Sequence, residues 1–335
     1  MKHVQRWMRS IEPFLGPLIE VARGFDDLTG VPVDLASALF LRAELAGFDP
    51  PGRTSAGGSC HLLETADGWV AVNLARSDDL AAVPALIAML SPPATTLADA
   101  VRGVSAAEVT ARAQLLGVAA AAFGSERGGV AATSRQRWGE RRTRDPGGLR
   151  VVDLSALWAG PLCARLLGLT GARVLKVEST TRPDGARFGA PGFYRWLHEG
   201  HDSLVVDFAS GALTEIIAEA DVVVEASRPR ALRRLGVFAE RFLAARPGRV
   251  WVSITGYGRD DDRIAFGDDA AVAGGLTGVD GNGAPVFLGD AIADPVTGIF
   301  AAGAAARSLA QGGGDLISVS MASCAATLAR VADRC

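Results

Sequence analysis

The chain has 335 residues, 49% of them apolar, and a formal net charge of −3. That length suits about two domains and supplies ample material for a packed core. With no basic tail and a slightly acidic balance, nucleic acid and membrane surfaces are poor candidates for main partners. No uncharged run of about 18 apolar residues marks a membrane span. The four cysteines, Cys60, Cys163, Cys324 and Cys335, have no CxxC spacing. This argues against a metal cluster or a disulfide framework and for reduced thiols in the cytoplasm. The first residues, MKHVQRWMRSIEPFLG, lack the apolar core of a signal peptide.

Taken in order, residues 1–50 have helical spacing at Phe14, Leu15, Leu18, Ile19 and Val21, then a second helix over Leu35–Leu45 that Pro50-Pro51-Gly52 stops. His61–Asn73 predicts a β-hairpin around Ala-Asp-Gly, and Leu80–Leu90 and Ala106–Phe123 predict helices. Residues 1–125 therefore suggest a small α+β domain. The polar, basic, Gly-rich stretch Gly124–Gly148 then suggests a solvated linker, placed at 126–147.

From 148 to 335 short apolar strands alternate with helices. Strands are expected at Leu149–Leu154, Ala172–Val177, Ser203–Phe208, Asp221–Glu225 and Val250–Ile254. Helices are expected at Pro161–Leu169, Gly211–Ala218 and Leu232–Ala245. Alternation of this kind predicts an α/β fold: a parallel-sheet, Rossmann-like large domain with helices on both faces, beside the small α+β domain. Ligands of such sheets bind beyond the carboxyl ends of the strands. Neither GxGxxG after the first strand nor GxxxxGK[ST] is present, and Gly275–Gly283 has the composition of a turn. In FLGDAIADPVTGIFAA (Phe287–Ala302), Asp294 stands before an Ala-rich helical pattern running from about Pro295 to Leu309. An N-cap is its simplest role, with Pro295 at the first helical position.

Five segments in order resemble the class III CoA-transferases, the family of formyl-CoA transferase, carnitine and bile-acid CoA-transferases and the α-methylacyl-CoA racemases. They are VVDLSALWAGPLCARLLGLTGARVLKVE (151–178), ADVVVEASRPRALRRLG (220–236), RVWVSITGYG (249–258), GDAIADPVTGIFAA and LISVSMASCAATL (316–328). The segment LASALFLRAELAGFDPPGRTSAGGSCHLLETADGWVAVN resembles what normally follows the large domain, so the small domain here precedes it.

The resemblance implies an acyl-CoA:carboxylate CoA-transferase in which an aspartate attacks the donor thioester to form a mixed anhydride. Asp294 occupies the family position in A-D-x-x-T-G, with Asp290 as the rival carboxylate. By motif position Trp158 and Ala159 would line the CoA cleft, and His201, Arg228 and Arg234 would meet CoA. Arginine suits phosphate through its forked donors. Lys176, at a strand end, is open to pairing with Glu178 or another local acid.

The resemblance further implies a CoA thioester as substrate with no permanently bound cofactor or metal, a carboxylic acid acceptor and an intertwined homodimer. Departures stand at His201-Asp202, where the family often has Lys-Arg, at Ala226-Ser227, and at Arg259–Asp262. The racemase branch needs a histidine paired with the aspartate. That position falls on Phe266 or Asp268 here, and no histidine follows His201. An Asp268–Asp294 pair would be the substitute. A catalytically silent partner subunit is the third alternative.

Overall fold

The computed structural model describes residues 2–91, 93–128, 131–143 and 147–332. Cys335 lies outside the described residues; Cys60, Cys163 and Cys324 are free and buried. In chain order the elements begin with helices α1 (Lys2–Ile11), α2 (Gly16–Thr29) and α3 (Leu35–Ala46). A small unit follows: β1 (Cys60–Glu64), β2 (Trp69–Asn73), α4 (Ser77–Leu90), α5 (Leu97–Val101), α6 (Ala106–Leu115) and β3 (Ala119–Ala122). Then come β4 (Thr133–Arg137), β5 (Arg150–Asp153), α7 (Ala159–Leu169), β6 (Arg173–Ser179), α8 (Pro191–Leu197) and β7 (Asp202–Val206). After these stand α9 (Ala212–Ala218), β8 (Val222–Glu225), α10 (Pro229–Arg234), α11 (Ala239–Ala245), β9 (Val250–Thr255) and α12 (Gly267–Gly274). The chain closes with β10 (Gly278–Val279), β11 (Pro285–Val286), α13 (Ala293–Ala310), β12 (Asp315–Ser320) and α14 (Met321–Ala332).

Seven strands form the main sheet in the order β4-β12-β9-β8-β5-β6-β7, all parallel except β4. The six parallel strands have the doubly wound order 3-2-1-4-5-6, which reverses between β5 and β8 and opens a crevice at their carboxyl ends. Helices cover both faces. One core joins α7, α13 and α14 to the sheet; the other joins α9, α10 and α11 to it through Leu213, Leu232, Phe242 and Trp251.

At the centre lies α13. Its alanines and glycines make it apolar nearly all round, and such a helix is stable only inside a core. α2, α7, α12 and α14 pack around it. Close approach depends on Gly298, where a Cβ would stand 2.7 Å from the Ala159 carbonyl oxygen.

Four stretches differ from the sequence expectation, each for a local physical reason. Ala106–Phe123 is not one helix: Gly117 adopts a left-handed φ of 78°, and Ala119–Ala122 then pairs antiparallel with β2. Alanine favours helix, but the backbone ladder and the close packing of α12 against these small side chains override that preference. Leu232–Ala245 divides into α10 and α11 at Gly236, φ 79°. Within the supposed linker, β4 adds an antiparallel edge strand to β12, with Arg137 3.2 Å and Arg135 3.6 Å from the buried Asp315 carboxylate. Exposed, charged residues are what an edge strand tolerates. The first helices, finally, pack with the large sheet: Trp7, Ile11, Leu18, Phe25 and Phe40 share the core of α13. Residues of β1–β3 and α4–α6 keep a separate core around Val72, Leu86 and Val109.

Candidate active site

Asp294 lies in the first turn of α13, one residue inside the helix, whose N-cap is Ile292. The expected N-cap role is thus corrected: its side chain does not close its own helix start. It stays partly exposed while its neighbours Ala293 and Pro295 are buried. Across from it, the amino end of α12 comes so close that a Cβ on Gly267 would fall 2.5 Å from Asp294 Oδ2 and 2.3 Å from the Ala291 carbonyl oxygen. Gly267 is therefore required by the approach of two helix starts, and its N–H faces the carboxylate.

Two further features of the DPVTG segment have structural reasons. Thr297 Oγ1 donates to the Ala293 carbonyl at 2.6 Å, satisfying a buried hydroxyl, and Gly298 admits Ala159. Just before α13, Ala291 takes φ 43°, a left-handed conformation unusual for a residue with a Cβ. Its N–H donates to Asp268 Oδ1 at 3.1 Å, which holds the turn. Backbone strain of this kind persists where surrounding contacts over-determine it.

Three more carboxylates gather here. Asp269 reaches back to the Phe266 N–H and accepts from Asn73 Nδ2, both at 3.0 Å, so the small unit braces the start of α12. Asp290 is 1% exposed and accepts from Arg42 Nη1 of α3 at 2.5 Å. Arg42 also lies over the rings of Trp158 and Phe48, 5.7 and 5.6 Å from their centroids. Burial first, then the charges of Asp290, Asp269 and Asp294, push the Asp268 pKa up to about 8. Burial pushes Asp269 to about 7, against its hydrogen bonds from Asn73 and Phe266. For Asp294 desolvation raises the pKa to about 7, with Arg42 pulling down and Asp269 and Asp290 pushing up. Among the described residues no cluster of three or more His, Cys, Asp or Glu is arranged to hold a metal ion.

The other residues singled out from sequence divide between two places. Trp158 and Ala159 are buried at the start of α7, beside α13; Trp158 packs edge-on against Phe193 at 5.0 Å. They adjoin the site as a wall and leave little surface of their own to a ligand. Arg228, at the start of α10 just beyond β8, and Arg234 are exposed and make no ion pair among the described residues. By topology Arg228 and Trp158 follow β8 and β5, the two strands that flank the crevice.

His201 is elsewhere. Its Nε2 stands 3.2 Å from where a Gly168 Cβ would be, at the far end of α7, roughly 14 Å along the helix from Ala159. There it lines a cavity of 680 Å³ with Lys176, Arg187, Tyr194, His198 and Ser203. Lys176 pairs with Asp184 at 2.8 Å and lies 3.7 Å from Asp153, not with Glu178, which holds Arg187 at 2.5 Å. Burial lowers the pKa of His198 to about 4 and also lowers that of His201, so both rings are neutral at pH 7. A second cavity, 210 Å³ and largely apolar, opens between Leu28, Leu167 and Leu309.

Sequence reasoning missed Arg42, Gly267, Asp269 and Asn73 as parts of this site. Arg42 and Asn73 come from the N-terminal third, and nothing local in the chain marks them.

Comparison with known proteins gives the site its context. A succinyl-CoA:L-malate CoA-transferase beta subunit of Chloroflexus aurantiacus is 35% identical over 170 residues, 46% of this chain and 42% of that protein. A human succinyl-CoA:glutarate CoA-transferase is 32% identical over 180 residues, 49% of this chain and 41% of the relative. The chain thus spans less than half the length of these curated relatives. A CAIB/BAIF family protein from Brucella suis superposes with a TM-score of 0.50 at 27% identity, covering 55% of each chain. Residues 147–332 match the model of CoA-transferase family III, and the chain belongs to that family.

Proposed function

We propose that the protein is an acyl-CoA:carboxylate CoA-transferase with Asp294 as nucleophile. The observation that carries this reading is a partly exposed carboxylate in the first turn of a rigid, buried helix, within the segment matching the family. In this reading an Asp294 oxygen attacks the thioester carbon, the C–S bond breaks, and CoA leaves as thiolate. The acyl group then sits on Asp294 as a mixed anhydride. The thiolate next attacks the Asp294 carbonyl, releasing the donor acid and leaving an aspartyl–CoA thioester. The acceptor carboxylate attacks that thioester, expelling the CoA thiolate and forming a second mixed anhydride, and the thiolate attacks the acceptor's acyl carbon to give the new CoA thioester and free Asp294. A carboxylate is a weak nucleophile, and the helix start supplies the fixed position that compensates for it. Main-chain N–H groups at the α12 start, Gly267 among them, are placed to favour the anion.

CoA would enter from the crevice flanked by Arg228, with the two exposed arginines meeting phosphate. His201, on the other cavity and neutral, suits a neutral hydrogen-bonding part of a ligand better than a phosphate. The reading includes a homodimer acting in the cytoplasm; among the described residues no helix is long and apolar enough to cross a membrane. The relatives named for succinyl-CoA support a carboxylic acid as acceptor.

A racemase-like reading draws on Asp268, whose raised pKa beside Asp294 suits a proton-carrying pair. One experiment separates the readings: incubation with an acyl-CoA, followed by hydroxylamine trapping and intact mass. A covalent adduct on Asp294 that vanishes in Asp294→Asn, together with a fall in turnover of more than about a thousandfold, is the expected result. Exchange of the α-proton with solvent and no adduct would replace transfer by racemisation. Neither signal would indicate a silent subunit.

A further inference from the structure

We propose that Arg42, contributed by the N-terminal helix α3 from outside the family-matching region, is a positioning residue that keeps Asp294 ionised for attack. The inference rests on the function proposed above. Around Asp294 stand Asp268 and Asp269 from α12 and Asp290 from the preceding turn, three carboxyl neighbours in a desolvated setting. Of the largest charge effects on Asp294, the one from a cation is that of Arg42. Four carboxylates gathered at low dielectric cannot all ionise without a compensating charge.

The geometry fixes that charge in place. Arg42 Nη1 meets Asp290 Oδ1 at 2.5 Å, and the guanidinium lies over the rings of Phe48 and Trp158. Gly57 of the following loop lies against it, a Cβ there standing 3.8 Å from Nη2. The Arg42 side chain is 34% exposed, so it is not a free surface group, and Asp290 Oδ2 has no hydrogen-bond partner among the described residues. Arg42 thus joins the N-terminal helices to the reaction centre. The placement of the preceding segment against α13, rather than the order of the chain, is what completes the site.

The test is the pH profile of Asp294 adduct formation in the wild type, Arg42→Gln, Arg42→Lys and Asp290→Asn. Arg42→Gln is expected to move the acid limb at least one unit upward, with about a tenfold loss at pH 7 that recovers toward wild type near pH 9. Arg42→Lys should restore most of the shift. Asp290→Asn, which removes a negative neighbour and releases the guanidinium, should move the limb downward. An acid limb unmoved in Arg42→Gln and Asp290→Asn overturns the inference, whatever happens to the maximal rate. If Arg42→Gln does not fold, the Asp290→Asn and Arg42→Lys profiles decide alone. Carboxyl NMR titration, with the Asp294 signal assigned by its absence in Asp294→Asn, reads the same shift without turnover. A wild type that forms no adduct but whose Asp294 titration responds to Arg42→Gln would lose the proposed function and keep the inference.

Discussion

Gly267 shows how narrow the tolerance is around Asp294. It has no side chain because two oxygens already occupy the space where a Cβ would go, at 2.3 and 2.5 Å. One of these is backbone, and it cannot rotate away. Gly267→Ala is therefore expected to push the α12 start from the α13 start, costing about 1–3 kcal/mol of stability. Adduct formation should fall at least tenfold, since a misplacement of about 1 Å can cost a hundredfold in rate. Denaturant unfolding and the trapping assay check the two halves separately. At this scale the sequence was informative about Asp294, whose motif neighbours Thr297 and Gly298 have packing reasons now visible. It was silent about Gly267, because a glycine before two acids carries no mark of what lies across from it.

Among elements, the contact of α7 with α13 sets the wall of the site. Gly298 permits it, with the Ala159 oxygen 2.7 Å and Leu162 Cβ 3.0 Å from a hypothetical Cβ. Gly298→Ala should raise intrinsic helix propensity and yet lower stability by about 1–3 kcal/mol, because the clash outweighs a propensity gain of about 1 kcal/mol. Thermal unfolding gives the sign, and a gain in stability would refute the packing argument. Most parallel strands and their helices were legible from periodicity, since burial on both faces writes continuous apolar runs into the chain. The exceptions, β3 and β4, lie where an all-alanine run and a charged run carry no strand period. Their conformation comes from a partner strand far away in sequence.

For the molecule as a whole, buried carboxylates and histidines pull stability in opposite directions with pH. Asp268 at about 8 and Asp269 at about 7 have folded pKa values raised above the unfolded 3.8. The folded state then binds more protons than the unfolded state between about pH 4 and 8. Their contribution is present below pH 4 and is lost as pH rises through 7 and 8, at up to about 1.4 kcal/mol per pH unit for each proton. His198, depressed from 6.5 to about 4, acts the other way: its contribution is present above 6.5 and is lost as pH falls through 4. From pH 4 to about 6.5 the two aspartates outweigh the one histidine, so denaturation midpoints measured from pH 4 to 9 should fall as pH rises, less steeply at the acid end where His198 opposes the fall. Asp268→Asn should flatten the alkaline fall, and an unchanged alkaline limb in that variant would remove Asp268 from this role.

Sequence by itself determined the α/β class, the strand and helix alternation after residue 148, and the family. These are written in local patterns: apolar runs, turn residues and a short ordered set of loops. Only the tertiary structure decided that the N-terminal helices join the large core and that Arg42 reaches Asp290. It also decided that His201 stands apart from Asp294, and that a polar stretch becomes an edge strand. Those outcomes depend on charges and backbone groups meeting across hundreds of residues, and no window of the chain contains both partners.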